Sequence, residues 1–539
     1  MPSRMQVSGE AYGERGSGGW PTPSAWPGSG DGLLCLAHSA GRLPEPDSPG
    51  ATGHRLLLTV QIPSEQVLPS ARTLEVGLRF GVPLTVPAQT IVSELPLPLA
   101  PGSVTLITGP SGTGKSLLLG QLARRLPAAR LVHLVQFPLD VAVLDAVAPT
   151  RPLEEALQLL TACGLGEPRL WIRRFAQLSA GEQFRARLAR AIGLHRRDRC
   201  GALWPHNASP LLCDEFGAVL HRRLAKAIAY NLRKLVWRER LTLVVATSQE
   251  DLQQDLQADH VVRLGLPQPL LEETLRPGNL PGGDQGQTGP GRRAPARRAI
   301  SLTRQLRIER GTLRDYQSFS AMHYRQTGQV GFVDKVFVCR EGIGGPVLGV
   351  VVYGRPSLEL KLRNEATAGR FVRRPDRLNR QLRVLKRLVM HPDVRGCGLG
   401  HWLVRRTLPL VGTPFVECLA AMGAVNPVFE KAGMRRTGTC ARPASMAKTV
   451  AHLRALGADP LAADFASQVC RRPVVRRAVA EAVQQWYRAT SNANLSRPSE
   501  PAPTHLAQTF RQIAGSQPVY YLWARDEAGW AALEQAEDE

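Results

Sequence analysis

The stretch Gly109-Pro-Ser-Gly-Thr-Gly-Lys-Ser116 decides how the first half of this 539-residue chain folds. It follows an apolar run, Val104-Thr-Leu-Ile107, that reads as a buried strand, and it precedes a run from Leu117 to Leu126 that reads as a helix. Glycines on the turn between strand and helix let backbone N–H groups converge on phosphate oxygens. Gly109, Ser111, Gly112 and Gly114 therefore form a candidate cradle for a nucleoside triphosphate. Lys115 would reach the β- and γ-phosphates, and the Ser116 hydroxyl would ligate Mg2+.

Two later segments extend this reading. Leu211-Leu-Cys-Asp-Glu215 ends a second apolar strand in two carboxylates, with Asp214 placed to hold the metal and Glu215 to polarise an attacking water. Leu178-Ser-Ala-Gly-Glu-Gln183 lies before it in the chain. In this order the three segments resemble the ABC ATPases, whose signature is matched with Ala180 in place of one glycine. The resemblance implies that ATP is the nucleotide and that Ser179 and Gly181 cap the γ-phosphate held by the opposite subunit. It implies that Gln136, in Leu134-Val-Gln-Phe-Pro138, joins the metal site to a helical subdomain. A homodimer closed around ATP, or a partner carrying a second such domain, follows. Phe80 is a candidate to stack on adenine, with a core position as the alternative. Two positions depart from the family pattern: His221 replaces the D-loop aspartate, and Ser248, after Thr247, replaces the switch histidine. Slow or partner-dependent hydrolysis is expected, so an ATP-gated clamp fits as well as a motor.

Composition bounds the remainder. A net charge of +23 points to a polyanionic partner, most simply nucleic acid. Only eight of the 68 basic residues are lysine, however, and GC-rich coding alone produces such an arginine bias. No run of about 18 uncharged apolar residues marks a membrane span. The nine cysteines are scattered singly, as expected of reduced thiols in a cytoplasmic protein, without zinc-ligand spacing. Residues 1–53, rich in Gly, Pro and Ser, read as a disordered tail, and residues 265–299, rich in Pro, Gly and Arg, as a flexible basic linker.

Beyond that linker the pattern changes to two strands around a Gly-rich turn (332–340 and 346–353). A third strand at 384–390 leads into His391-Pro-Asp-Val-Arg-Gly-Cys-Gly-Leu-Gly400 and a helix. Arg395-Gly-Cys-Gly-Leu-Gly400, with Asn426-Pro-Val-Phe-Glu-Lys-Ala-Gly-Met434 further on, resembles the GNAT acyltransferases. The resemblance implies acetyl-CoA, or another acyl-CoA, held by Arg395, Gly396, Gly398, Gly400 and Asn426. The pantetheine arm would pair with a splayed strand around Val389. The family's usual tyrosine acid is Phe429 here. Candidates for the missing proton transfer are Glu417, on a strand beside the expected cleft, and His323 and Tyr324. A GNAT-like domain without catalysis, and ordinary packing roles for these residues, are the alternatives.

The arginine-rich segment 361–387 is a candidate nucleic-acid contact, set against a solvated face or an enlarged coenzyme phosphate site. The expected architecture is α/β: an ABC-type P-loop ATPase domain over 54–264, a GNAT mixed α+β domain over 300–440, and a helical C-terminal extension over 441–539, in which Val519-Tyr-Tyr-Leu-Trp523 reads as an aromatic strand. The acyltransferase half resembles that of a group of such fusions and is distantly similar to the phage Mom DNA-modifying acyltransferase. The expected activity is ATP-controlled acyl transfer to an amine on nucleic acid. The alternatives are a nucleic-acid clamp, or a transporter ATPase subunit, with a sensory or inactive second domain.

Overall fold

The computed structural model describes residues 55–66, 68–86, 88–195, 210–265, 270–273, 299–323, 330–440, 445–490, 502–515 and 517–534. The expected tail 1–53, and most of the expected linker 265–299, lie outside these residues.

In the first half, Val104–Thr108 and Leu243–Thr247 are buried along their whole length. Continuous burial of short Val/Leu/Ile/Thr runs is what a parallel sheet covered on both faces requires. Among the described residues the sheet has six strands, ordered Leu270–Glu273, His260–Arg263, Val104–Thr108, Leu243–Thr247, Leu211–Cys213 and Arg130–Leu131. All neighbours run parallel except the first pair. Leu270–Glu273 thus corrects the sequence reading, which places these residues in the flexible linker; they form the edge strand of this sheet. An antiparallel pair, Arg55–Ile62 with Gln89–Pro98, packs beside it through Leu58, Val60, Leu95 and Leu97. Phe80 ends the helix Ala71–Phe80 and is 74% exposed.

The helix Arg222–Glu239 has buried residues on every face, including Leu224, Ala227, Tyr230, Leu232 and Val236. A helix apolar on one stripe has one neighbour, whereas burial all round requires neighbours on several sides. Leu224, Ile228, Leu232 and Val236 join the core of the first sheet. Ala227 and Tyr230 pack instead with Ile300, Leu302, Leu348, Val394, Cys397 and Leu399 of the second half.

Among the described residues the second half has a seven-stranded sheet. Its order is Leu306–Gly311, Val333–Glu341, Val347–Gly354, Leu382–Met390, Phe415–Ala420, Val519–Ala524 and Arg435–Thr439. The one parallel pair is Leu382–Met390 with Phe415–Ala420, and it is joined only at Leu382/Phe415, Arg383/Val416 and Val384/Glu417. Beyond Val384 the two strands part.

The C-terminal segment departs from expectation. Residues 441–539 are not an appended helical extension, because Val519–Ala524 lies between Phe415–Ala420 and Arg435–Thr439 and bonds to both. The helices Ser445–Ala455, Phe465–Arg471, Pro473–Thr490 and Pro503–Gly515 form a separate core around Leu453, Phe465, Val479 and Phe510. They are carried on the connection between the last two strands.

Glu417 requires a second correction. The sequence offers it as a base beside a cleft, but it is 2% exposed. Arg363 grips it with two hydrogen bonds, Nε to Oε2 at 2.9 Å and Nη2 to Oε1 at 2.7 Å, and the Tyr520 hydroxyl donates to Oε2 at 2.7 Å. A carboxylate so enclosed has no exposed lone pair for a substrate. Arg363, counted among the arginines of the basic segment, is itself fully buried. Removing one partner of a buried pair leaves the other charge uncompensated, so Glu417→Ala is expected to destabilise the protein by about 3–5 kcal/mol, read as the shift in a urea unfolding midpoint. A chain ending at residue 440 is expected to be insoluble, since Phe415–Ala420 and Arg435–Thr439 would both expose unpaired edges; soluble expression of that chain would contradict the assigned topology.

Candidate functional site

The phosphate loop joins Val104–Thr108 to the helix Lys115–Arg125. Gly109, Gly112 and Gly114 have φ of 148°, 84° and 89°, a region open to glycine and costly for other residues. A Cβ on Gly109 would also lie 2.4 Å from the Leu264 carbonyl oxygen. Gly114 caps the helix without a side-chain bond, so no capping group competes for the N–H groups of the first turn. The Lys115 ammonium turns inward, donating to the carbonyls of Gly109 at 2.7 Å and Pro110 at 2.5 Å. Ser111 on the loop and Ser116 in the first turn of the helix are exposed.

Asp214 and Glu215 follow the strand Leu211–Cys213, at the same end of the parallel sheet as the loop. A crevice at the carboxyl ends of adjacent parallel strands is the usual ligand position in such sheets. The Glu215 N–H donates to the Asp214 carboxylate at 2.9 Å, and Glu215 has φ of 48°. A left-handed conformation at a non-glycine residue costs roughly 1–2 kcal/mol, and here it presents an exposed carboxylate. Ser116, Asp214 and Gln136 offer only hard oxygen donors, a set that suits Mg2+ completed by phosphate oxygens and water. The Thr247 hydroxyl donates to the Phe216 carbonyl at 2.8 Å, while Ser248 beside it is exposed.

The Gln136 segment is tied to the helix Ala180–Gly193. Arg190 donates to the Gln136 carbonyl at 2.7 Å and lies over Phe137, which stacks on Phe175 with centroids 4.4 Å apart. Ser179 heads that helix and is exposed, its N–H bonded to the Glu182 carboxylate at 2.9 Å. Gly181 packs so closely that a Cβ would lie 3.1 Å from the Val219 carbonyl, on the loop leading to His221. His221 Nδ1 in turn sits 3.1 Å from the Asp393 carboxylate of the second half. Arg223 and Glu341 pair across the same boundary at 2.6 Å.

A cavity of about 680 Å³ opens where Leu382–Met390 and Phe415–Ala420 part. Val389, Arg395, Gly396, Gly398, Gly400, Asn426 and His323 all line it. Glu417 does not, and Tyr324 lies outside the described residues. Gly398, with φ of 94°, caps the helix Leu399–Thr407 without a side-chain bond. Arg395 anchors the loop, donating to the carbonyls of Met390 at 3.0 Å and Met322 at 2.6 Å, and so fixes the segment that carries His323. Phe429 is on the wall, and Tyr521 packs behind it with centroids 5.4 Å apart. The Tyr521 hydroxyl is 3.1 Å from the Glu430 carboxylate, and burial together with that charge pushes its pKa up to about 12.

The cavity wall also holds residues that the sequence does not single out. These are Lys234, Arg238 and His401; they join Arg395 and His323, Lys386 and Arg387 of the basic segment and Lys431 of the 426–434 motif, and no carboxylate is among the lining residues. Lys234 and Arg238 come from the helix Arg222–Glu239 of the first half, nearly two hundred residues before Lys431. No local pattern around them announces this, since charged residues at helical spacing also describe a solvated face.

The basic segment 361–387 is largely used within the fold. Arg383 pairs with Asp334 at 3.0 Å, Arg370 donates to the Ala532 carbonyl at 3.0 Å, and Arg363 is buried. Lys361, Arg373 and Arg380 are exposed. Among the described residues no helix is long and apolar enough to cross a membrane, and no group of three or more His, Cys, Asp or Glu is placed to hold a metal ion.

No family model matches the chain. It is 35% identical over 153 residues to the tylosin resistance ATP-binding protein TlrC of Streptomyces fradiae, covering 26% of each chain. It is 34% identical over 131 residues to the zinc import ATP-binding protein ZnuC of Histophilus somni, covering 21% of this chain and 48% of that one. The chain thus spans about a quarter of the first relative and about half of the second. Among solved structures, the dimeric bacterial ABC transporter cassette MJ0796 is 20% identical with a TM-score of 0.25, covering 33% of this chain and 87% of that one.

Lys115→Ala removes the one cation at the centre of the phosphate loop. It is expected to weaken ATP binding at least about tenfold, measured with a fluorescent nucleotide, with only a small drop in the unfolding midpoint without nucleotide from the two lost bonds to loop carbonyls. The phosphate loop, the carboxylate pair and the likeness to these ATP-binding proteins together show that the chain contains an ABC-type ATP-binding domain.

Proposed function

We propose that the chain is an ATP-controlled acyltransferase, in which an ABC-type ATPase governs a GNAT-type domain that moves an acyl group from coenzyme A to an amine. The observation that carries this reading is the cavity between the parting strands: its lining residues include six Lys or Arg and no carboxylate. A coenzyme thioester combines an extended amide-bearing arm with several phosphates, and such a cavity offers free strand edge to the first and positive charge to the second.

In this reading the acceptor nitrogen attacks the thioester carbonyl, a C–N bond forms, and the C–S bond breaks. The amine loses one proton, and the departing thiolate gains one. His323, which lines the cavity, carries that proton in this reading. Phe429 cannot, and the Tyr521 hydroxyl behind it is engaged with Glu430.

The proposed acceptor is nucleic acid. The net charge of +23 and the exposed Arg373 and Arg380 support a polyanion, although Arg363 and Arg383 are committed to ion pairs within the fold. ATP would be sandwiched between two copies, with Ser179 and Gly181 of one facing the phosphate loop of the other, and Mg2+ held by Ser116, Gln136 and Asp214. A cytoplasmic location fits these substrates.

A second reading makes the chain the ATPase of a transport system with a coenzyme-sensing domain. What favours it is the likeness to proteins named for zinc import and tylosin resistance.

The test is to incubate protein, ATP, Mg2+ and radiolabelled acetyl-CoA with duplex DNA, single-stranded DNA, tRNA or a protein extract. Label is expected on a nucleic acid, only with ATP present. It is expected to be lost in Gly398→Trp, because position 398 has φ of 94°, where a side chain strains the loop, and it lines the cavity, so an indole there competes with the donor for space. ATP hydrolysis without label on any acceptor would overturn the transferase reading and favour the second.

A further inference from the structure

The cavity is not built by the second half alone. Its wall includes Thr161 and Asn231 of the ATPase domain. Gly396 of the glycine loop lies so close to that domain that a Cβ would be 2.6 Å from the Thr161 carbonyl oxygen. Asn231 fixes the same turn by donating to the Ala162 carbonyl at 3.0 Å. One turn further along its helix, Lys234 lines the cavity, its ammonium 3.8 Å from the centre of the Tyr230 ring.

Across the cavity stand Lys431 and His401 from the second half. The charges of the two lysines reach each other and His401: burial pushes Lys234 down to about 8 with Lys431 adding to it, and burial followed by both lysines lowers His401. Cations lining one cavity with no carboxylate among its lining residues repel one another until an anion enters. Three of the chain's eight lysines, Lys234, Lys386 and Lys431, line this one space.

We propose that Lys234 is a phosphate ligand of the donor cavity, which makes the coenzyme site a composite of both domains. The inference rests on the acyl-CoA reading above. It adds that the ATPase domain supplies part of the donor site, so a detached second half would lack a ligand and a wall. Lys234 lies on the same helix that begins after His221, so the nucleotide and donor sites share one rigid element.

The test uses the full chain and two probes in titration calorimetry: coenzyme A, and pantetheine, which has the arm without phosphates. Lys234→Ala is expected to weaken coenzyme A about tenfold and leave pantetheine unchanged, with Lys234→Arg recovering most of the loss. In a double-mutant cycle, Lys234→Ala and Lys431→Ala are expected to lose coenzyme A affinity non-additively. Unchanged coenzyme A affinity in Lys234→Ala, beside a wild-type protein that binds it, would overturn this inference and leave the donor reading intact. Equal loss of both probes would also overturn it, because it would indicate a distorted wall and not a missing phosphate contact. A wild-type protein that binds neither probe would bring down the donor reading itself, and this inference with it.

Discussion

The helix Arg222–Glu239 is the element on which the arrangement depends. It starts after His221, beside the loop that follows the Asp214–Glu215 pair, and ends on the cavity wall at Lys234 and Arg238. Between these points it is buried from both sides, by the ATPase core through Leu224, Ile228 and Leu232 and by the second half through Ala227 and Tyr230. A packed helix shifts as a unit and cannot deform piecemeal. Displacement at its first turn would therefore be carried to its last. The pairs His221–Asp393 and Arg223–Glu341 sit at the first turn, where such a displacement would be felt first.

How much of this is legible in the sequence depends on whether the deciding contacts are local. The phosphate loop, the Asp214–Glu215 pair and the glycine loop at 395–400 can be read because each is a turn at the end of a strand, and its chemistry needs adjacent residues. The strands on either side can be read because unbroken apolar runs leave few alternatives. Val519-Tyr-Tyr-Leu-Trp523 is legible as a strand but not as the partner of Phe415–Ala420, since nothing in a strand names its neighbour across about a hundred residues. Glu417 misleads for the same reason. Its partners, Arg363 and Tyr520, are distant in sequence, and an unpaired carboxylate in a strand is spelled no differently from a neutralised one.

Arginine content is the poorest guide. A guanidinium serves the interior as well as the surface, because its planar fork satisfies a carboxylate or several carbonyls at once. Arg363 and Arg233 do this at almost complete burial, the latter with Asp259 at 2.7 Å. Arg151 holds the carbonyls of Ile192, Gly193 and His195 while pairing with the buried Glu239. The lysines, fewer and carrying a compact, strongly hydrated charge, put three of their eight members on the lining of one cavity.

The insertion of Val519–Ala524 between two earlier strands also sets a timetable. As the chain leaves the ribosome, the ATPase sheet has all its described strands by residue 273, whereas the second sheet cannot close until residue 524 has been made. Domains completed early fold early, and pairings of long sequence separation wait on loop closure. Glu417 must meanwhile remain without the Tyr520 hydroxyl, and two strand edges must stay unpaired. The first half is then the scaffold available during that interval, with the uncovered flank of its long helix offered to a sheet still missing its sixth strand.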